Sequence, residues 1–227
     1  MLRSAVAITL GALVISWAGL PRDASFRESM VPVKMADGHR LHVSQNEVTA
    51  AHWARCVKEK GCANSPKTLV VTAPQPVTGV NWFDVNGYLH WANAKSGGGL
   101  RLPTKDEWRW LNRSLVKPKP PPLFTDPRLA WAAEYGQEKS PGGPVRRSGA
   151  FTTTPDGISD LDGNVWEWTM SCAAPGFEGK QASYCPAYVV EGEHEALIPV
   201  FERNPAAGGC ATGTPPTYLG FRLVADD

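Results

Sequence analysis

The sequence predicts a loop-rich α+β fold, with helices in the first half of the chain and short strands in the second. Capped helical segments occur up to residue 115, whereas Gly, Pro and Thr turn signals dominate beyond residue 123. The 227 residues include nine Trp, 22 Gly and 20 Pro, a composition that favours loops held by aromatic contacts. Residues 30–227 contain no segment with the length or composition of an interdomain linker, so we expect one domain there.

Residues 1–20 are predicted to be a signal peptide or an N-terminal anchor. Arg3 supplies a positive start, and residues 5–20 form an uncharged apolar run that is shorter than the roughly 20 residues of a membrane span. Ser16 and Ala18 place small residues at the −3 and −1 positions of a cleavage site. We therefore expect a periplasmic or secreted protein, with an uncleaved anchor to the inner membrane through residues 5–20 as the alternative.

The charges are nearly balanced, with 23 Lys and Arg against 22 Asp and Glu. This balance, and the absence of a clustered basic stripe in the sequence, exclude nucleic acid as an expected partner. The sequence also has no P-loop, no G-x-G-x-x-G after a strand and no G-x-S-x-G motif.

The five cysteines fit an exported protein, because nearby cysteines pair under oxidising conditions. Cys56 and Cys62 are close in sequence and are predicted to form a local disulfide. Cys172, Cys185 and Cys210 leave an odd count, so the sequence does not decide how these three pair.

A hairpin and a first helix are predicted near the start of the domain. The hairpin covers residues 31–48 and turns at Asp37-Gly38. The helix begins after Thr49 as N-cap and ends at Gly61 as the C′ residue. Its buried face is formed by Trp53, Cys56 and Val57.

Two further helices are predicted by capping pairs. Asn81 caps the second helix together with Asp84, and its buried stripe consists of Trp82, Val85, Leu89 and Ala92. Thr104 and Glu107 form the T-x-x-E box of the third helix, whose inward residues are Trp108, Leu111 and Leu115.

The segment DLDGNVWEW, residues 160–168, is the strongest candidate for a site. Its strand alternation places Glu167 among apolar residues, where a carboxylate needs a counter-charge or a metal ion. Asp160, Asp162 and Asn164 add oxygen atoms upstream, and Gly163 permits a sharp turn; hard oxygen ligands favour Ca²⁺. The spacing differs from an EF-hand. The alternative is a polar turn before a strand, with Glu167 paired to an Arg or a Lys.

Four ordered motifs carry a family resemblance: TAPQPVTGVNWFDVNGYLHWA, RLPTKDEWRW, DLDGNVWEWT and a terminal LGFRLV. Together they resemble the sulfatase-modifying-factor family, whose best-known member is the formylglycine-generating enzyme. The resemblance covers roughly residues 41–224 in the right order. The earlier segment EVTAAHWARCVKEKGC is also similar to family members that carry a cysteine pair at that place.

The resemblance implies a C-type-lectin-like fold with bound calcium. Carried over to this sequence, the calcium ligands would be the Asp160 side chain, the carbonyls of Gly163 and Val165, and Glu167. Trp166 matches a tryptophan that lines the substrate groove of the family, with plain core packing as the alternative. The signature residues Arg101, Thr104, Glu107, Trp108, Gly220, Phe221 and Arg222 would have structural roles.

The enzyme that gives the family its name oxidises a protein cysteine to formylglycine, with copper held by two thiols. Two soft thiolates are what Cu(I) prefers. This sequence departs from the family there, because no R-G-G-S-[WF] segment occurs and AAGGCATGTPPTYLGFR contains one cysteine, Cys210. Cys172 and Cys185 precede the expected position of the pair. Either they form a structural bridge, or one of them pairs with Cys210.

A second branch of the superfamily uses non-haem iron and an H-x-x-x-H-x-E motif, which none of the five histidines fits. His39 and His42 form an H-x-x-H on the predicted hairpin, and solvated surface histidines are the preferred interpretation. Another cluster, in VEGEHEA, is interpreted as a solvated loop; it contains Glu191, Glu193, His194 and Glu195.

These observations favour an exported accessory factor that assists the maturation of another exported protein or peptide. The first alternative is an active copper-dependent oxidase that uses Cys210 and one of Cys172 or Cys185. The second is a lectin-like binding or structural module, for which the sequence shows no sugar-binding motif.

Overall fold

The structure is a computed structural model that describes residues 23–63, 74–115, 145–173, 185–192, 196–199 and 219–227. The helices in this part of the chain are α1 (Ser25–Glu28), α2 (Ala50–Lys58), α3 (Trp82–Ser96) and α4 (Lys105–Asn112). The strands are β1 (Met30–Lys34), β2 (Arg40–Ser44), β3 (Leu100–Arg101), β4 (Trp166–Cys172), β5 (Ala187–Glu191), β6 (Ala196–Pro199), β7 (Leu219–Gly220) and β8 (Val224–Asp226). The predicted α+β class is confirmed.

The predicted signal or anchor segment, residues 1–20, lies outside the described residues. Within the ranges given above, the helices are all too short or too polar to cross a membrane. The folded domain includes residues before the predicted start at residue 30, because α1 precedes the first strand and its Phe26 is buried in the main core.

The first sheet has the strand order β1-β2-β8-β3, with antiparallel neighbours throughout. The predicted hairpin is confirmed as β1 and β2, with Lys34 opposite Arg40 beside the turn. Gly38 in this turn has φ +93°, a left-handed conformation that glycine adopts at little cost.

The second sheet has the order β6-β5-β4-β7, in which β4 and β7 are parallel. The terminal LGFRLV motif is divided between the two sheets, because β7 and β8 belong to different sheets. Only Phe221, Arg222 and Leu223 separate the two strands, and all three are buried. The chain therefore passes from one sheet to the other through the core.

Helix α2 begins as predicted, since the Thr49 hydroxyl accepts a hydrogen bond from the His52 N–H at 3.2 Å. Its end differs by one residue, because Lys60, with φ 61°, takes the left-handed position assigned to Gly61. Gly61 is required for a different reason: a Cβ there would lie 2.5 Å from the ring of Trp91 in α3.

The capping boxes predicted for α3 and α4 are both confirmed. The Asn81 side chain accepts from the Asp84 N–H and the Asp84 carboxylate accepts from the Asn81 N–H, each at 3.0 Å. In α4, Thr104 and Glu107 exchange the same pair of bonds at 3.1 and 2.7 Å. Each box satisfies N–H groups that a helix start leaves without partners.

The predicted buried stripe of α3 is wrong at two positions. Trp82 and Leu89 are half-buried, whereas Tyr88 and Trp91 are buried beside Val85 and Ala92. The aromatic side chains of neighbouring helices explain the difference. Tyr88 stacks on Trp53 of α2 with ring centroids 5.9 Å apart, and Trp91 packs edge-on against Phe26 of α1 at 5.5 Å.

Two glycine substitutions test the contact between α3 and the end of α2. Gly61→Ala is expected to lower the free energy of unfolding by about 1–3 kcal/mol, because the new methyl group displaces Trp91. The control is Gly87→Ala in α3, where the new Cβ meets only the Gly61 carbonyl oxygen at 3.6 Å. That change should stabilise the protein by about 0.5–1 kcal/mol through higher helix propensity. Urea unfolding measures both, and equal effects of the two substitutions would contradict the assigned contact.

Candidate functional site

The DLDGNVWEW segment supplies the acidic partner of a buried ion pair. Glu167, in β4, is fully buried, and so is Arg222, which lies between β7 and β8. The Arg222 guanidinium donates to Glu167 through Nη2 to Oε1 at 2.6 Å and through Nε to Oε2 at 2.7 Å. The indole N–H of Trp108 in α4 donates to Oε2 at 2.9 Å. The alternative stated for Glu167, an arginine partner, is therefore what the structure shows.

Arg222 also connects segments that are far apart in sequence. It donates to the carbonyl oxygen of Ser44 at the end of β2 at 3.3 Å and to that of Ser159 at 3.0 Å. Burial disfavours the charged form, yet the charge and hydrogen bonds of Glu167 raise the pKa of Arg222 above its ordinary value. The guanidinium thus stays charged inside the core.

Asp160 is buried and holds the preceding loop by its carboxylate. Oδ1 accepts the N–H of Phe151 at 2.8 Å, and Oδ2 accepts the N–H of Gly149. Asp162 binds the same loop from the outside, accepting from the backbone N–H and the hydroxyl of Thr152 at 3.1 and 2.7 Å. Both side chains fold the 149–152 loop onto the turn.

The sharp turn in this segment does not depend on Gly163 in the expected way. The left-handed residues are Asp160, with φ 67°, and Asn164, with φ 71°. Gly163 is needed because a Cβ there would overlap the ring of Phe151. Asp and Asn tolerate the left-handed region better than other side chains, since they hydrogen-bond locally.

The predicted calcium ligands are placed as follows. Glu167 directs both oxygens to Arg222 and Trp108, and Asp160 directs both oxygens to backbone N–H groups. Gly163 and Val165 belong to the same turn and strand start, and Val165 is buried. The two carboxylates as placed do not fit an oxygen cage for a hard cation, because N–H donors already occupy them. Calcium binding at these four residues stays a prediction.

Glu47 is a buried acid that the sequence did not single out, although it is the first residue of the EVTAAHWARCVKEKGC segment. Its Oε1 accepts from the side-chain amide of Asn164 at 3.3 Å, and its Oε2 has no hydrogen-bond partner among the described residues. Burial is the main reason that the pKa of Glu47 is raised to about 8; Arg222 opposes the shift, whereas Glu167 and Asp160 add to it.

Trp166, the predicted groove residue, is half-buried beside the main core. It packs over the backbone of Gly192, where a Cβ would lie 2.6 Å from the indole. Two half-buried aromatic side chains lie against the same core, Trp82 and Tyr188, whose rings stack with centroids 3.4 Å apart. Whether Trp166 binds a substrate stays a prediction.

The cysteines form two disulfides in the described part of the chain. Cys56–Cys62 was predicted and is confirmed. Cys172–Cys185 joins the end of β4 to the segment before β5, which is the first of the alternatives left open by the sequence. Cys210, the candidate catalytic cysteine, lies outside the described residues. While its disulfide is intact, neither Cys172 nor Cys185 can supply a copper-binding thiol to Cys210.

The other candidate clusters have charged partners. His39, Glu107 and Asp226 come together near the first sheet, but all four carboxylate oxygens accept hydrogen bonds from Arg101. His42 contacts Asp227 at 2.6 Å on the same surface. In a separate place, Glu191 is buried and pairs with Arg109 at 2.8 Å, while residues 193–195 lie outside the described residues. We assign no site to either cluster.

The geometry defines a loop-rich α+β domain of two four-stranded sheets, organised around a buried Glu–Arg pair, and sequence comparison gives its family. Residues 2–227 match the sulfatase-modifying factor enzyme 1-like domain. The chain belongs to this family.

Among curated relatives, the chain is 28% identical over 197 residues to a formylglycine-generating enzyme of Mycobacterium tuberculosis, covering 68% of this chain and 58% of that protein. It is 29% identical over 150 residues to an inactive C-alpha-formylglycine-generating enzyme 2 of the mouse, covering 60% and 46%. The chain thus spans about half the length of these relatives.

Solved structures share the fold. PvdO from Pseudomonas aeruginosa aligns with a TM-score of 0.57 at 18% identity, covering 83% of this chain and 81% of that one. Treponema denticola variable protein 1 aligns with a TM-score of 0.50 at 17% identity, covering 87% and 95%. The predicted family and fold are confirmed.

The pKa of Glu47 predicts a pH dependence of stability. A buried acid whose folded pKa is about 8 keeps its proton while the unfolded chain, with a value near 4.5, loses it. Stability from this residue therefore falls as pH rises from about 4.5 to about 8, by up to about 1.4 kcal/mol per pH unit. Glu47→Gln should remove this slope and be more stable than wild type at the upper end.

Urea unfolding in a chelator-containing buffer at several pH values measures this effect. Glu59→Gln is the control, because hydrogen bonds from Lys95, Trp91 and Arg55 lower the pKa of Glu59 to about 2, so that it titrates below this pH window. A difference between Glu47→Gln and wild type that does not change with pH would contradict the prediction.

Proposed function

We propose that the chain is an exported accessory protein on the sulfatase-modifying-factor scaffold, which binds another exported protein or peptide and assists its maturation without oxidising a cysteine. The observation that carries the proposal is the state of the cysteines. Two disulfides engage four of the five, so one chain has a single cysteine left.

Copper chemistry of the formylglycine-generating type requires two thiols in one site. Cys210 can contribute one, and the described residues offer no second thiol while both disulfides are intact. An oxidase would have to open the Cys172–Cys185 bridge before it could hold Cu(I) between two sulfurs. The residues present therefore do not fit the copper centre, and we assign no step to copper.

Comparison with relatives supports a role without catalysis as much as one with it. The matched relatives include both a protein named as a formylglycine-generating enzyme and one named as an inactive member. Membership of the family therefore does not decide whether a protein is active. The cysteines decide it, and this sequence departs from the family pattern at the cysteines.

Half-buried aromatic side chains near β4 and β5 support client binding. Trp166, Trp82 and Tyr188 each pack on the core and keep part of their surface accessible, and Phe83 is 44% exposed. Aromatic side chains are enriched in protein interfaces, because they bury a large area at a low cost in conformational entropy. We propose that the client contacts Trp166 and the stacked pair of Trp82 and Tyr188.

An oxidising compartment is also part of the proposal. Two intrachain disulfides are typical of exported proteins and rare in a reducing cytosol. They agree with the expected signal or anchor in residues 1–20.

Thiol titration and an activity assay test the absence of oxidase chemistry. The purified protein, unfolded without reductant, should give one reactive thiol, and Cys210→Ser should give none. Copper-loaded protein should not convert a peptide containing C-x-P-x-R to the formylglycine form, as followed by its mass. Two or more thiols in wild type together with conversion of the peptide would overturn the proposal in favour of the oxidase.

Complementation tests the accessory role itself. A strain of the source organism that lacks the protein should accumulate one exported protein in an immature form. Wild type and Cys210→Ser should both restore maturation, whereas Trp166→Ala should not. Trp110→Ala is the control, since Trp110 donates to the Lys34 carbonyl and packs against the core cluster around Leu111, whereas the proposed contact residues pack against the main core. Failure of a folded Cys210→Ser variant would show that cysteine chemistry is required.

A further inference from the structure

The Arg222 side chain is surrounded by oxygen atoms in the way that a bound metal ion would be. Four contacts between 2.6 and 3.3 Å join it to two oxygens of Glu167 and to the carbonyls of Ser44 and Ser159. These oxygens come from β4, the end of β2 and the turn before Asp160. The guanidinium therefore crosslinks three segments of the chain through oxygen ligands.

We propose that Arg222 and backbone N–H groups hold the DLDGNVWEW segment through the carboxylates of Glu167 and Asp160, so that this domain does not bind there the calcium ion implied by the family resemblance.

The carboxylates support the proposal, because their oxygens are already used. Glu167 accepts three N–H bonds, two from Arg222 and one from Trp108. Asp160 accepts two backbone N–H bonds from the 149–151 loop. A calcium ion would have to displace these donors, since it needs six to eight oxygen ligands at roughly 2.3–2.6 Å.

Charge and burial point the same way. The guanidinium is permanently charged and lies in bidentate contact with Glu167 at zero exposure. A divalent cation that bound Glu167 would lie within a few ångströms of this charge in a region of low dielectric constant, where like charges repel strongly. Moving Arg222 away is unfavourable too, because a buried guanidinium without its partner is costly.

The geometry also explains how the segment stays folded without an ion. The Asp160 carboxylate holds the loop by accepting the backbone N–H of Phe151. Arg222 binds the Ser159 carbonyl and the Glu167 carboxylate on either side of the turn. An ion in this position would be expected to hold the same backbone. The side chains of this protein do so with hydrogen bonds.

Thermal unfolding of the wild-type protein tests the proposal directly. The melting temperature in excess chelator should equal that in millimolar CaCl₂. A bound calcium at a hundredfold excess over its Kd would instead raise it by roughly 5–10 °C. A rise that Asp160→Asn abolishes would overturn the proposal. A rise in melting temperature that persists in Asp160→Asn comes from calcium bound elsewhere in the protein and agrees with the proposal.

Terbium luminescence provides a second measurement if Asp160→Asn does not fold. Tb³⁺ replaces Ca²⁺ in oxygen sites and emits when a nearby tryptophan is excited. A Tb³⁺ ion bound at this segment would give emission that added Ca²⁺ displaces and that decreases in Trp166→Phe. We expect no such emission from the wild-type protein. Such emission would contradict the proposal, and this measurement does not require a variant of the ion pair.

Chemical rescue tests the role of the guanidinium. Arg222→Ala should lower the melting temperature strongly, and low millimolar methylguanidinium should restore part of the loss by occupying the vacated space beside Glu167. The control is Arg101→Ala, which breaks the more exposed pair with Glu107 and should not be rescued. Rescue of Arg222→Ala by Ca²⁺ in preference to methylguanidinium, with Ca²⁺ also stabilising wild type, would overturn the proposal.

Discussion

The buried pair of Glu167 and Arg222 is the interaction on which the rest of the structure depends. Both side chains have no exposed surface, and two parallel N–H bonds of 2.6 and 2.7 Å join them. Desolvating such a pair costs as much as its attraction returns, so its value lies in placement more than in net stability. Loss of either partner, however, leaves an unpaired charge in the core, a change that costs about 3–5 kcal/mol.

The position of Arg222 in the chain explains why one side chain has so large an effect. It lies in the short link between β7, in the second sheet, and β8, in the first. Its bond to Ser44 reaches the strand beside β8, and its bond to Glu167 reaches the strand beside β7. The orientation of the two sheets and the path of the closing segment are therefore fixed at one residue.

Local features of this fold were predictable, because their causes are close in sequence. Thr49, Asn81 and Thr104 cap helices through atoms two or three residues away, and the turn at Asp37-Gly38 needs only its own backbone. The four ordered motifs predicted the family, since their spacing reflects the whole fold. The Cys56–Cys62 disulfide was predictable for the same reason as the caps.

Features that depend on distant residues were not predictable in this way. The buried face of α3 is set by Phe26 and Trp53, which periodicity within α3 cannot reveal. The arginine partner of Glu167 was one of two open possibilities, because the two residues are 55 positions apart in sequence. Glu47 escaped notice since nothing local marks a polar residue before a helix as buried.

Strand β4 keeps the structural features of the family, but its cysteine is not available for the copper chemistry of the family. This strand carries Glu167, which binds the core through Arg222, and ends at Cys172, which is bonded to Cys185. The structural requirements of the family are thus met by residues whose partners are all within the chain. A copper centre that used Cys172 would require this cysteine to be a free thiol, because the thiolate is the form that binds the metal. Because the disulfide also joins β4 to the segment leading into β5, releasing Cys172 would loosen the pairing of the strand that positions Glu167. Strand β4 is held by the Cys172–Cys185 disulfide, and the same cysteine cannot at once form this bond and provide a copper-binding thiol.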